Sequence, residues 1–180
     1  AISMIGISIM IPDANAELKK YTDNYNDFSI FIDDWWQTRN ISDGRAFSGS
    51  NTNTSGELHV IFYENIDIGT NRHAVDFLES AFAKMCSSMN YDCEHIQQVG
   101  DEVGIKAIDK KKAYQVSYRF QAVYDDGTKL DSATILTAVE EEEDDYWVIL
   151  GFTAGKSSGA WIKSLEKSTD SFESLRESSS

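Results

Sequence analysis

Apolar and polar residues alternate along most of this chain, and the alternation predicts a protein built mainly from β-strands. The segment ELHVIFYE, residues 57–64, alternates strictly and carries apolar side chains on both faces, so we expect this strand inside a sheet. An Asn/Asp turn at residues 23–27 separates a short first strand from a second strand at residues 28–32. The pattern predicts later strands at residues 95–99, 104–109, 113–124, 129–139 and 146–154. Asp125-Asp126-Gly127 predicts a tight hairpin turn, because Asp and Gly tolerate positive φ angles.

Two stretches of the chain change to a helical period of three to four residues. The first follows a capping residue, Thr70 or Asn71, and ends near residues 88–90. Its apolar stripe consists of Val75, Leu78, Phe82, Met85 and Met89. The second follows a cap at Ser157 or Ser158, and its apolar face consists of Ile162, Leu165, Thr169 and Phe172. An antiparallel sheet with helices on its two faces is an α+β fold, an α/β/α sandwich.

The segment SDGRAFSGSNTNTSG, residues 42–56, is rich in Ser, Asn, Thr and Gly, and it is predicted to be a long hairpin loop with a short strand at residues 45–48. The chain has 180 residues, of which 41% are hydrophobic, which is enough for one sizeable core. We therefore predict a single domain over residues 17–176, followed by a frayed tail at residues 177–180.

The first sixteen residues, AISMIGISIMIPDANA, differ from the rest of the chain. A mostly apolar run from Ala1 to Ile11 is followed by Pro12 and by the A-x-A pattern Ala14-Asn15-Ala16, which is typical of the second half of a secretory signal peptide. The run is too short for a membrane-spanning helix, which needs about twenty apolar residues. The alternative is a buried N-terminal strand. We expect removal of residues 1–16 and a secreted, extracytoplasmic protein with no transmembrane helix.

The chain is strongly acidic, with a formal net charge of −14 and a pI near 4.5. Its long-range field repels a polyanion, so we do not expect a nucleic-acid partner. We expect its binding partners to be a basic protein or cations.

Three stretches carry a resemblance to a known family: YNDFSIFIDDWW, AYQVSYRFQAVYDDGTKLDSATILTAV and YWVILGFTAGKSSGAWIKSLEKSTDSF. They are similar to the opening strand, the long hairpin and the final strand with its helix in the PsbP family of extracytoplasmic, photosystem-II-associated proteins. The wider Mog1 and DcrB-like α/β/α sandwiches are similar more loosely. The resemblance implies a secreted, non-enzymatic accessory domain that associates with a protein or a membrane complex.

The sequence contains no strong catalytic signature. G-x-x-x-x-G-K-[ST] does not occur, and G-x-S-x-G occurs once, at residues 155–159. His59, His73 and His95 have no partner at sequence range. We therefore expect a non-enzyme. A hydrolase whose residues meet only in the folded chain is the remaining enzymatic alternative.

Cys86 and Cys93 are predicted to form a disulfide, because export exposes a local pair to an oxidising compartment. Free thiols are one alternative. A second is a soft-metal site for Cu(I) or Zn(II), since thioethers, thiolates and imidazole cluster in MCSSMNYDCEH. Its ligands would be Met85, Cys86, Met89, Cys93 and His95.

Six consecutive acidic residues separate the last two predicted strands: Glu140, Glu141, Glu142, Glu143, Asp144 and Asp145. We predict that this acidic run is the solvated tip of a hairpin, where charge repulsion opposes edge pairing. The alternative is a weak Ca²⁺ site or a contact for a basic partner, since several carboxylates of one loop can approach one ion.

Trp35 and Trp36 follow the second strand directly. Adjacent residues in extended structure point to opposite faces, so one of the two indoles is a candidate for stacking on a ligand. The alternative places one ring in the core and the other under a loop. An extracytoplasmic protein that binds metal or a small ligand is therefore the second functional hypothesis.

Overall fold

The computed structural model describes residues 18–42, 44–50, 54–66, 68, 71–88, 91–100, 104–142, 144–155 and 158–176. The expected signal peptide at residues 1–16 and the expected tail at residues 177–180 lie outside the described residues. Both remain predictions.

The described residues form eleven strands and two helices. In chain order these are β1 (Leu18–Asp23), β2 (Phe28–Asp33), β3 (Gln37–Ile41), β4 (Gly44–Ser50), β5 (Thr54–Tyr63), α1 (Asn71–Ser88), β6 (Tyr91–Gln98), β7 (Gly104–Ile108), β8 (Lys111–Tyr124), β9 (Lys129–Glu142), β10 (Asp145–Gly155), α2 (Ser158–Asp170) and β11 (Glu173–Ser174).

Eight of the strands form one antiparallel sheet in the order β3-β4-β5-β10-β9-β8-β6, and β7 pairs with the first half of β8. The strands β8 and β9 each span 14 residues. They are joined by the predicted hairpin turn, in which Gly127 has a φ of 81° and the Tyr124 N–H donates to the Thr128 carbonyl at 2.9 Å. The hairpin prediction is confirmed.

A smaller antiparallel sheet has the strand order β1-β2-β11. Asp23 organises the turn between β1 and β2 by accepting hydrogen bonds from the backbone N–H groups of Tyr25 and Asn26 at 3.0 and 3.1 Å. The same carboxylate accepts a hydrogen bond at 2.7 Å from Nε of Arg45, which lies on β4. This ion pair connects the small sheet to the large one.

The two faces of the large sheet are covered differently. Helix α1 packs against β6, β8 and β9, where Leu78 and Phe82 share a core with Tyr118. Helix α2 and the small sheet cover the other face, around the buried ring of Trp147 and the side chain of Leu165. These layers confirm the predicted α+β sandwich. Neither helix in the described part of the chain is long and apolar enough to cross a membrane.

The prediction for residues 42–56 is right about a strand at residues 45–48 and wrong about the long loop around it. Strand β4 occupies Gly44–Ser50, β5 begins at Thr54, and β3 is a strand that the pattern does not predict. The physical reason is that α1 packs against the opposite half of the sheet. Polar side chains on β3 and β4, such as Gln37 and Ser48, therefore stay partly exposed while their backbones pair fully. These two strands therefore pair without a regular alternation of apolar side chains.

Candidate functional site

Trp35 and Trp36 occupy the turn between β2 and β3, and this turn separates their environments. The Trp36 N–H donates to the Asp33 carbonyl at 3.1 Å, which closes the turn. Trp36 is 8% exposed, whereas Trp35 is 41% exposed. One ring therefore belongs to the core and the other is available to a ligand.

A third indole, that of Trp161 on α2, holds Trp35 in place. The Trp35 and Trp161 rings meet edge to face with centroids 5.6 Å apart, and Trp36 stacks on Trp161 at 5.9 Å. Such aromatic pairs contribute roughly 0.5–1.5 kcal/mol beyond the burial of their area. The exposed ring of Trp35 is thus anchored by two buried neighbours.

Two glycines form the surface against which these indoles lie. Gly49 on β4 and Gly56 on β5 are directly paired across the strands. A Cβ atom on Gly49 would lie 2.6 Å from Cζ3 of Trp35, and a Cβ on Gly56 would lie 2.5 Å from Cε3 of Trp161. Both distances are shorter than a van der Waals contact, so the indoles need glycine at both positions. The rings therefore lie directly on the backbone of β4 and β5.

A cleft of about 380 Å³ lies beside Trp35. We call it the Trp35 cleft, and its walls are Trp35, Gln37, Ser48, Gly49, Ser50, Ser55, Gly56, Glu57 and Phe152. Within the described residues, the side chains of Gln37, Ser48, Ser50 and Ser55 make no hydrogen bond to another protein group. The cleft therefore has one exposed aromatic ring and several polar residues among those that line it.

Glu57 is the single carboxylate among the residues that line the cleft. Its Oε2 lies 3.0 Å from Nε2 of His59 and 3.7 Å from the Arg39 guanidinium. The hydrogen bond with His59 lowers the pKa of the Glu57 carboxyl, and partial burial opposes this effect without reversing it. The Glu57 carboxyl is therefore ionised at neutral pH and lies beside Arg39 and His59.

The acidic run lies at the tip of the hairpin that joins β9 to β10, as predicted, but the turn itself is much shorter than the run. Strand β9 continues to Glu142 and β10 begins at Asp145, so only residues 143–144 separate them. The Asp144 carbonyl accepts a hydrogen bond at 2.5 Å from the N–H of Ile66, and Asp145 Oδ1 accepts one at 3.0 Å from the N–H of Asn65. These contacts connect the hairpin to the segment that follows β5.

Glu141 departs furthest from the prediction, because its side chain is only 6% exposed. Its Oε1 lies 2.6 Å from Nζ of Lys111, and its Oε2 accepts a hydrogen bond at 3.0 Å from the buried indole N–H of Trp147. Alternation along β9 points this acid toward the α2 side of the sheet. The acidic run therefore includes an internal structural carboxylate.

The acidic run does not form a cation site among the residues that the structure describes. No group of three or more His, Cys, Asp or Glu side chains in those ranges is placed to hold a metal ion. Glu143 lies outside the described residues.

The predicted disulfide is supported by the structure. Cys86 near the end of α1 and Cys93 on β6 have sulfurs 2.11 Å apart and Cα atoms 5.8 Å apart. Within the soft-ligand set, Met85 is buried in the core beside α1, whereas His95 is exposed on β6. Met89 lies outside the described residues. Because both thiols are used in the disulfide, the structure leaves no thiolate for Cu(I) or Zn(II) at this segment.

No protein-family model matches the chain, and no curated protein sequence matches it. Several solved structures are similar to it. The Ran-binding protein Mog1p of Saccharomyces cerevisiae is 8% identical with a TM-score of 0.60, and the alignment covers 89% of this chain and 96% of that one. Cyanobacterial PsbP (CyanoP) of Synechocystis is 16% identical with a TM-score of 0.52, covering 97% of each chain. LpqN of Mycobacterium tuberculosis, described as involved in cell envelope biogenesis, is 11% identical with a TM-score of 0.52, covering 89% and 91%.

At these identities the likeness shows a shared fold, the sandwich of Mog1 and PsbP. PsbP is one of several fold relatives, so the resemblance in sequence is supported at the level of fold.

Sequence reasoning found Trp35 and missed the groups that make it a site. Trp161 has the position of an ordinary core residue in its helix, and Glu57 is one of 30 acidic residues. The available signal was Gly49 and Gly56, since a glycine inside a strand marks a close approach by another group. The sequence pattern instead predicts a loop around these two glycines, and glycine is common in loops without a close approach.

Proposed function

We propose that this chain is a non-catalytic, extracytoplasmic accessory domain that binds a protein partner at the Trp35 cleft. The observation that carries the proposal is the exposed indole of Trp35, anchored by Trp161 beside a cleft lined by polar residues. Protein interfaces concentrate their binding energy in a few residues, among which Trp is enriched, and surround them with a polar rim. The Trp35 cleft has an exposed tryptophan and polar residues beside it.

The rigidity of Trp35 supports this role. Ordering a mobile side chain at an interface costs about 0.5–1.5 kcal/mol, and a ring that is already fixed avoids that cost. The glycine pair removes the side chains that would push the ring away from the sheet. The residues therefore form a binding surface before any partner arrives.

The fold relatives support a binding role in general terms. One structure of this fold is described as a Ran-binding protein. The extracytoplasmic location is supported by the disulfide between Cys86 and Cys93, since disulfides persist in oxidising compartments. It is also supported by the description of LpqN as involved in cell envelope biogenesis.

A second candidate function is binding of a small ligand, and the size of the cleft favours it. Small-molecule sites have volumes of about 300–1,000 Å³, and the Trp35 cleft has about 380 Å³.

Site-specific photo-cross-linking in the organism of origin tests the proposal. A photoreactive residue replaces Gln37 at the rim of the cleft, and a control replaces Tyr25, which is 90% exposed at the opposite end of β5 near Phe62. We expect a discrete protein adduct from position 37, none from position 25, and loss of the adduct when Trp35→Ala is added. Equal adducts at both positions, or none at position 37, would contradict the proposal. A small-molecule mass retained by the wild-type protein and lost in Trp35→Ala would favour the second candidate.

A further inference from the structure

We propose that Asn40, near the end of β3, is an N-glycosylation site that carries an oligosaccharide on its side-chain amide nitrogen. Asn40-Ile41-Ser42 matches the acceptor motif N-x-[ST], with a residue other than Pro in the middle. The proposal rests on the extracytoplasmic location given in the proposed function, because this modification belongs to surface segments of secreted proteins.

The structure exposes both residues of the motif that a transferase reads. The side chains of Asn40 and Ser42 are exposed, and Ile41 between them is partly buried. Strand β3 ends at Ile41, and Ser42 lies in the turn that follows. The acceptor is therefore an extended residue beside a turn at the protein surface.

The acceptor lies at an open edge of the large sheet. In the described part of the sheet, β3 is the terminal strand and pairs with β4 alone. Edge strands carry unpaired backbone groups that promote pairing between molecules, and natural proteins cover or charge such edges. An oligosaccharide on Asn40 has room beside this edge and covers one end of it.

Arg45 orients the Asn40 side chain and leaves the reactive nitrogen aside. The two residues are direct partners across β3 and β4, and the Arg45 guanidinium donates a hydrogen bond to Oδ1 of Asn40. The guanidinium is itself fixed by Asp23, whose Oδ2 lies 2.7 Å from Nε of Arg45. Because the carbonyl oxygen Oδ1 makes this contact, a sugar on Nδ2 of Asn40 leaves the hydrogen bond in place.

The transfer needs one co-substrate, a lipid-phosphate-linked oligosaccharide supplied by the cell. Nδ2 of Asn40 attacks the anomeric carbon of the first sugar, and a C–N bond forms as the C–O bond to the phosphate breaks. The nitrogen loses one proton to a base of the membrane-bound transferase, and the lipid phosphate leaves. No oxidant or reductant takes part, and the product is a neutral glycosyl amide.

Asn53-Thr54-Ser55 is a second match to the acceptor motif, but Asn53 lies outside the described residues and we assign it no role. Digestion with trypsin separates the two matches. Cleavage after Arg39 and Arg45 releases residues 40–45 as the peptide NISDGR, which contains a single acceptor. The mass of this peptide therefore reports on Asn40 alone.

Mass spectrometry of the full chain, purified from the extracytoplasmic fraction of the organism of origin, tests the proposal. We expect the peptide of residues 40–45 to carry an added oligosaccharide that loses sugar units on fragmentation. Ser42→Ala should abolish the modification while Asn40 and its contact with Arg45 remain. The matched control Ser42→Thr should retain the modification, because either hydroxyl residue completes the motif.

An unmodified peptide of residues 40–45 from that fraction would overturn the inference, as would an undiminished modification in Ser42→Ala. In either case the recovery of the protein outside the cytoplasm leaves the proposed location standing. Protein confined to the cytoplasm with unmodified Asn40 would remove both proposals. Because Ser42 is exposed in a turn, its variants decide the question without disturbing the core.

Discussion

Gly49 and Gly56 face each other across β4 and β5, and the space left by their missing side chains is filled by Trp35 and Trp161. A methyl group at either position collides with an indole that neighbouring rings hold in place. We therefore expect Gly49→Ala and Gly56→Ala each to destabilise the protein by about 1–3 kcal/mol, the cost of overpacking a filled site. Urea unfolding measures this free energy.

Gly104 supplies the matched control for the glycine pair. A Cβ there would lie 3.7 Å from its nearest neighbour, the Gln115 carbonyl oxygen, which is ordinary contact. Gly104→Ala should therefore leave stability unchanged or raise it by a few tenths of a kcal/mol, since alanine restricts the unfolded chain. A cost at Gly49 or Gly56 no larger than that at Gly104 would contradict the packing described for the cleft.

The ion pair between Asp23 and Arg45 predicts a dependence of stability on pH. Burial alone raises the pKa of Asp23, but the hydrogen bonds from Arg45 and Asn26 and the backbone N–H groups of Asn26 and Tyr25 lower it to about 2. A lowered folded-state pKa contributes stability above the ordinary value of 3.8, and this contribution is lost as the pH falls toward 2.

We expect Asp23→Asn to cost about 2 kcal/mol at pH 7. The difference from wild type should shrink between roughly pH 4 and pH 2, because the wild-type carboxyl is then protonated as well. Denaturant unfolding at a series of pH values measures it. Asp131→Asn, at an exposed carboxyl on β9, is the matched control. A constant difference across the pH series would show that Asp23 is not held ionised by Arg45.

Glu141 predicts that one acid of the acidic run matters to stability far more than its neighbour. Glu141→Ala leaves Lys111 without its carboxylate and the Trp147 N–H without its acceptor, so we expect a loss of about 2–3 kcal/mol. Glu140→Ala, one position earlier on β9, should cost less than about 0.5 kcal/mol. Thermal and urea unfolding compare the two. Equal losses would support the solvated hairpin tip that the sequence predicts.

The disulfide between Cys86 and Cys93 predicts the absence of reactive thiols in unreduced protein. Titration with a thiol reagent after unfolding in denaturant should find none without a reductant and two with it. The double variant Cys86→Ser/Cys93→Ser should be less stable by about 2 kcal/mol, the low end for a bridge that closes a short loop. Two reactive thiols before reduction would contradict the pairing.

The strands and helices with a regular apolar period were predictable from the sequence. Helix α1 begins at Asn71 as its capping pattern indicates, and the β8–β9 hairpin turns at Gly127. The layers of the sandwich follow from these elements. Strand β3 was not predictable, because its side chains are mostly exposed and carry no apolar signal.

The candidate site was predictable only in part, because it depends on contacts between residues that are distant in the sequence. Trp35 drew attention as a large aromatic residue near a strand end. Glu141 and Glu57 are indistinguishable from other acids in an acidic chain, and only the folded structure buries one and places the other among the residues that line the cleft. The relation between Gly49 and Gly56 depends on strand register, which a polar segment does not specify.

The central claim is that Trp35 is the main contact residue for a protein partner. Its most direct measurement is the dissociation constant between the chain and the protein cross-linked from position 37, determined by titration calorimetry for wild type, Trp35→Ala and Tyr25→Ala. The proposed function predicts a loss of affinity of roughly thirtyfold or more for Trp35→Ala, as for an interface hot spot, and an unchanged constant for Tyr25→Ala. Equal dissociation constants for the wild type and a correctly folded Trp35→Ala protein would contradict it.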